Sequence, residues 1–292
     1  ARLRAAAEAL RELRDLTASP LGAEQRLALV DASLLAESTY FTLASGLRES
    51  IATSSRRARL ARIDTGLMAL YGTGLLSRRQ LDAMRAELTQ LTYAPSPQRY
   101  KQTLDYLALA PHWASQHYRQ LFGLAIETMT RLEPKSVLFV QDQIRASALL
   151  SQAEIVDSLV RDANRLNGIS NQLFEADVGG GLRALNPGLA QGVLSFALDG
   201  KDADLRRDHI YVLPETVSDL PPVAGILTAG EGNPLSHVQL LARNLGIPNV
   251  AFDQRLLAQL RAREGQRILL AVSPGGAVRI LPTSTETEAL FT

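Results

Sequence analysis

The sequence predicts an α+β chain of two domains, an all-helical one followed by a compact α/β one. Three observations predict it. Apolar residues recur at three- and four-residue intervals through residues 1–174. Short β-rich runs separated by turn residues fill 185–282. Gly179-Gly180-Gly181 stands where one texture gives way to the other. At 292 residues the chain has room for two ordinary cores.

The helical half is read from its periodicity and its breaks. Leu3, Ala6, Leu10, Leu13 and Thr17 keep one face, and Arg4 and Glu8 are spaced to pair at i,i+4. Breaks are expected at Ser19-Pro20, Gly72-Thr73-Gly74, Pro95 to Pro97, Pro111 and Glu133-Pro134, dividing residues 1–174 into six to eight helices. Val137, Val140, Ile144, Ala148, Ile155 and Leu159 hold one period over more than five turns, which predicts a single long amphipathic helix. On it Asp142 and Arg145 read as a solvated face.

Residues 175–184 read as a Gly-rich flexible linker. Strands are then expected at 192–198, 209–213, 223–228, 248–252, 267–272 and 277–281, with helices at 237–244 and 254–263. Residues 283–292 have no core pattern and read as a second linker. The chain opens on Ala rather than Met, so the expectation is a piece of a longer protein.

Composition narrows the function. Lys and Arg total 31 against 30 Asp and Glu, leaving no excess positive charge to hold a nucleic-acid backbone. No apolar run approaches the ~18–20 residues of a membrane span, and no secretory signal pattern opens the chain, so no membrane partner is expected. Cysteine is absent, which excludes disulfide and thiolate chemistry and suits the cytoplasm, the expected location. There is no Walker-type G-x-x-x-x-G-K-[ST] and no recognisable ATP-grasp or PEP-binding barrel. His112 and His117, beside Trp113 and Tyr118, have no nearby carboxylate and read with His209 as ordinary residues, so no metal site is expected.

The chemistry concentrates in GILTAGEGNPLSHVQLLARNLGIPNVAF, residues 225–252. A strand-like run enters a Gly/Asn/Pro-rich loop that ends in Ser236-His237, and a helix-like segment follows at once. An imidazole is thereby set at a helix N-terminus, where unpaired amides and the dipole favour an anion such as phosphate. Ser236 suits the N-cap. The unperturbed pKa of a histidine side chain, ~6.5, keeps the ring largely neutral and nucleophilic near physiological pH. Gly230 and Gly232 suit a tight loop or a close approach to a ligand. Thr228 and Ser236 are candidates to hydrogen-bond the imidazole or the phosphoryl oxygens. Arg243, nearly two turns along, is a candidate phosphate contact or a structural cation.

This stretch resembles the phosphohistidine swivelling domain of the PEP-utilising enzymes, which include PEP synthase, pyruvate phosphate dikinase, enzyme I of the sugar phosphotransferase system and the glucan water dikinases. Gly225, Ile226, Thr228, Gly232, Ser236, His237, Ala242, Arg243, Ile247 and Pro248 match the motif G-I-x-T-x-x-G-G-x-x-S-H-x-x-x-x-A-R-x-x-x-I-P. Leu185 to Gly192 is similar to the family's opening strand, and Gly265 to Leu281 to its closing hairpin. Asn233 replaces the second Gly of the loop, and Leu235 stands where pyruvate phosphate dikinase carries a regulatory Thr. The Leu-Ser-His-Val core, Ala242-Arg243-Asn244 and Ile144-Arg145-Ala146-Ser147 look more like the glucan water dikinases.

The resemblance implies a β/β/α swivelling fold over 185–282 and a dikinase-type phosphotransferase. His237 would be phosphorylated by ATP bound with Mg²⁺ on another domain of the same polypeptide. The group would then pass to an acceptor such as pyruvate or a glucan, with no cofactor held by this chain. Two alternatives stand beside it: a phosphorelay module docking a protein partner, like enzyme I, and a non-catalytic scaffold degenerate at Asn233.

Overall fold

The computed structural model of the chain describes residues 1–51, 53–91, 95–197, 205–214, 220–230 and 237–284, with His237 described in its main chain alone. It is a mixed α+β structure that divides by contacts into two units, Ala1–Ala163 and Asn164–Thr292.

The first unit holds α1 (Arg2–Leu16), α2 (Ala23–Ser45), α3 (Arg56–Gly72), α4 (Arg78–Gln90), α5 (Pro97–Leu107), α6 (Ala110–Thr130), α7 (Phe139–Arg145) and most of α8 (Leu149–Leu166). Serines start three of these helices. Ser55, Ser77 and Ser96 accept from the amides of Ala58, Gln80 and Arg99, satisfying donors that the helix leaves unpaired. Arg4 pairs with Glu8 at 2.9 Å as the spacing predicts.

The close approach in this unit is between α1 and α3, at Gly72. A Cβ built there would lie 2.5 Å from the Leu10 Cβ and 2.6 Å from the Leu10 carbonyl carbon, which is main chain and cannot step aside. Gly72→Val is therefore expected to destabilise the unit by about 3 kcal/mol through forced separation of the helices. Urea unfolding followed by the fluorescence of Trp113, the single tryptophan, measures it. An unchanged midpoint would mean that the helices do not touch there.

The structure corrects one expectation in this unit. The long helix over Val137 to Leu159 is broken: a 3₁₀ turn (Pro134–Leu138) leads into α7, and α8 begins only at Leu149. Ser147 makes the break. Its hydroxyl donates to the Ile144 carbonyl at 2.7 Å and accepts from the Leu149 amide at 3.2 Å, so one side chain closes α7 and opens α8. Val140, Ile144, Ala148, Ile155 and Leu159 of the period are buried on either side of the break, while Val137 is exposed. Asp142 and Arg145 are exposed, as read.

α2 alone among the described helices is long and apolar enough in composition to cross a membrane. Asp31 and Glu37 interrupt its apolar run. Its outer face exposes Leu27, Val30, Leu34 and Leu35. Burial pushes the half-buried Glu37 carboxyl up.

The second unit is a sheet with helices on it. Its strands are β1 (Gln172–Leu173), β2 (Ala176–Asp177), β3 (Leu182–Asn186), β4 (Gly188–Phe196), β5 (His209–Leu213), β6 (Gly225–Ala229), β7 (Asn249–Phe252), β8 (Arg267–Val272) and β9 (Val278–Pro282), in the order β2-β1-β9-β8-β4-β5-β6-β7-β3. β4, β5, β6 and β7 run parallel, flanked by antiparallel neighbours. Alternation along the strands separates two cores. Leu194, Ile210, Val212, Leu227, Val250 and Phe252 face one, while Tyr211, Leu213 and Ile226 face the other with Val238, Ala242 and Ile247. The latter group brings in α9 (His237–Leu245), and α10 (Leu257–Arg261) follows β7 after a 3₁₀ turn at Gln254–Leu256.

The segment read as a flexible linker, 175–184, belongs to this sheet. β2 and the start of β3 lie within it, and Gly179–Gly181 is a 3₁₀ turn. Asn171, 7% exposed, explains why three glycines do not make a loose joint. Its Nδ2 donates to the carbonyls of Gly179 and Leu182, both at 2.8 Å, and its Oδ1 accepts from the Val278 amide at 2.8 Å. The Asp253 amide also donates to the Gly181 carbonyl at 2.9 Å. One carboxamide thus ties β9 to the start of β3, strands far apart in the sheet order, and the sheet curls around its larger core. The contact boundary correspondingly falls at Ala163, in the last turns of α8, and not near 174. Of the expected terminal linker, 285–292 lies outside the described residues.

Candidate functional site

β6 carries the chain to the site. Its register with β7 pairs Ile226 with Asn249 and Thr228 with Ala251. The Gly230 amide continues the ladder by donating to the Phe252 carbonyl at 2.9 Å. Gly230 then turns with φ 120°, a conformation that a side chain would strain, which accounts for glycine there in backbone terms. Residues 231–236, with the expected supports Gly232 and Ser236 and the departures Asn233 and Leu235, lie outside the described residues.

The chain re-emerges as α9, whose first residue is His237. The helix stops at a glycine in the left-handed region: Gly246 has φ 68°, and the Ile247 amide donates back to the Ala242 carbonyl at 2.8 Å. Ile247 then packs beside Ala242 in the smaller core. The strand and the helix expected on either side of residues 231–236 are therefore present, and the helix begins at His237.

The other candidates divide. Thr228 is fully buried, and its hydroxyl oxygen has no hydrogen-bond partner. Arg243 is half-buried, and burial pushes its guanidinium down. His112 and His117 are exposed on α6. His209 is held at Nδ1 by Asp208 at 2.9 Å and stacks on Tyr211. No group of three or more His, Asp or Glu side chains converges among the described residues.

Sequence reasoning missed Gln239 and Asn249. Gln239 is 2% exposed and Asn249 is 0% exposed, yet neither the oxygen nor the nitrogen of either carboxamide has a partner. Asn249 and Thr228 share the α9 side of the sheet, because their strand neighbours Leu227, Val250 and Phe252 face the other core. α9 lies over β7 and β3. On its β5 side Leu241 joins an apolar cluster.

Each unpaired buried polar group costs about 1–3 kcal/mol, and the five such atoms of Thr228, Gln239 and Asn249 together approach the ~5–15 kcal/mol net stability of a whole domain. A core wanting only stability would carry apolar residues there. The signal in the sequence was Gln-Leu-Leu and Pro-Asn-Val, polar residues at positions that the periodicity assigns to the interior.

The chain matches no protein-family model and no curated protein sequence.

Proposed function

We propose that the unit from Asn164 onward is a phosphohistidine carrier of the β/β/α swivelling type, with His237 as its phosphoacceptor, within a dikinase-type phosphotransferase. The observation that carries this reading is the placing of His237 as first residue of α9, reached from the C-terminal end of β6 through a turn at Gly230. The crevice beyond the C-terminal ends of parallel strands is where α/β sheets receive ligands, and helix N-termini receive phosphate.

In the transfer, an imidazole nitrogen attacks phosphorus, an N–P bond forms, and the P–O bond to the donor breaks. The second transfer reverses this towards an acceptor hydroxyl or enolate oxygen, pyruvate and glucans being the classes that the motif suggests. Nucleotide and Mg²⁺ belong in this reading to a separate domain. Ser236, Thr228, Gly230, Gly232 and Arg243 are the proposed supports. The uncovered apolar face of α2 favours one second reading, in which the helical unit docks a protein partner of a phosphorelay.

Potassium phosphoramidate, which phosphorylates accessible imidazoles directly, separates a built acceptor from an ordinary surface histidine. The expected product is an acid-labile, alkali-stable phosphoryl group that mass spectrometry maps to His237 at least about tenfold faster than to exposed His112 and His117. Equal labelling of all three would overturn the assignment.

A further inference from the structure

We propose that Gln239 and Asn249 are positioning residues for His237, a polar support beneath α9 held at the expense of stability. The proposal rests on the reading of His237 as phosphoacceptor, but the support is argued from other atoms. Both carboxamides are buried with every polar atom unpaired, and Thr228, equally buried and unpaired, lies on the same side of the sheet. Gln239 is two residues from His237 in the first turn of α9. Asn249 opens β7, against which the helix packs.

Three such residues do not serve folding, because apolar isosteres would fill the same volume without desolvating polar atoms. They do serve a helix whose N-terminus receives a dianion. Carboxamide dipoles can reorient in place, so they complement either charge state of the first turn through hydrogen bonds that an apolar floor cannot make. The apolar flank of the same helix, at Leu241 and Val238, fixes where α9 lies, while the polar flank sets how its first turn is held. Buried polar atoms that cost stability are characteristic of functional sites.

Gln239→Met and Asn249→Leu test the idea on the whole chain, since both keep the side-chain volume and remove the polar atoms. Each variant is expected to raise the melting temperature by a few degrees. Each is also expected to slow phosphoramidate labelling of His237 roughly ten- to a hundredfold through loss of alignment. The ring titration of His237, followed by NMR without any phosphoryl donor, is expected to move in both variants while that of His112 stays.

Opposite signs in stability and labelling are the signature of a positioning role. A lower melting temperature in both variants would make the carboxamides structural and overturn the proposal. So would unchanged labelling together with an unchanged titration. If His237 takes no phosphoryl group even in the unaltered chain, the acceptor reading fails by itself, and the titration still decides whether Gln239 and Asn249 hold the imidazole.

Discussion

His237→Ala is expected to remove the acid-labile phosphoryl group from the chain while leaving the unfolding midpoint nearly unchanged. The first effect is the largest that any single substitution in this chain should produce. A phosphoramidate bond needs a neutral ring nitrogen, and alanine has none, so labelling at this position falls to background, a loss of more than ~10³-fold. The second effect follows from position. His237 is the first residue of α9, and the packing of that helix comes from Val238, Ala242 and Leu241. Alanine is a good helix former at such a site. Intact protein mass in alkaline buffer, before and after acid treatment, measures the label, and calorimetry measures the fold. Persisting label would place the acceptor on another residue. Loss of label together with the fold would leave His237 a structural residue.

Local features of the fold were legible where one side chain decides them. The pairing of Arg4 with Glu8, the end of α3 at Gly72 and the start of α5 at Pro97 were read from single residues and their spacing. Short β-rich runs bounded by turn residues placed β5, β6 and β8 close to their bounds. The turn from β6 towards α9 was readable from Gly230 and the position of His237. What escaped depends on contacts between distant residues. Periodicity from Val137 to Leu159 does not reveal that Ser147 turns its hydroxyl back onto the helix. Composition cannot tell a glycine triplet that swings from one pinned by Asn171, eight residues before Gly179 and more than a hundred before Val278. Gln239 and Asn249 were missed although they stand in otherwise apolar runs, because a polar residue next to a motif is taken for surface unless the periodicity is followed through it.

Asn171→Ala is expected to destabilise the second unit by about 3 kcal/mol, the largest effect on stability expected there from one residue outside the apolar core. Three main-chain groups lose their partner together: the carbonyls of Gly179 and Leu182 and the amide of Val278. None is satisfied by simple relaxation, because the turn at Gly179–Gly181 is itself fixed by the Asp253 amide and by the Leu256 side chain packed on Gly181. Asn171→Asp should cost more, since a carboxylate would face two carbonyl oxygens and keep only the bond from Val278. Trp113 lies in the first unit and does not report on this one, so hydrogen exchange by peptide is the suitable measurement. In Asn171→Ala, amides of β3 and of β9 should lose protection together. If Gly179–Gly181 were a free joint, the substitution would loosen only the turn and leave β9 protected, and that pattern would rule out the pinning of the triplet by Asn171. Joint loss would mean that the glycine triplet is part of the body of the second unit, so any movement of that unit must come from another place in the polypeptide.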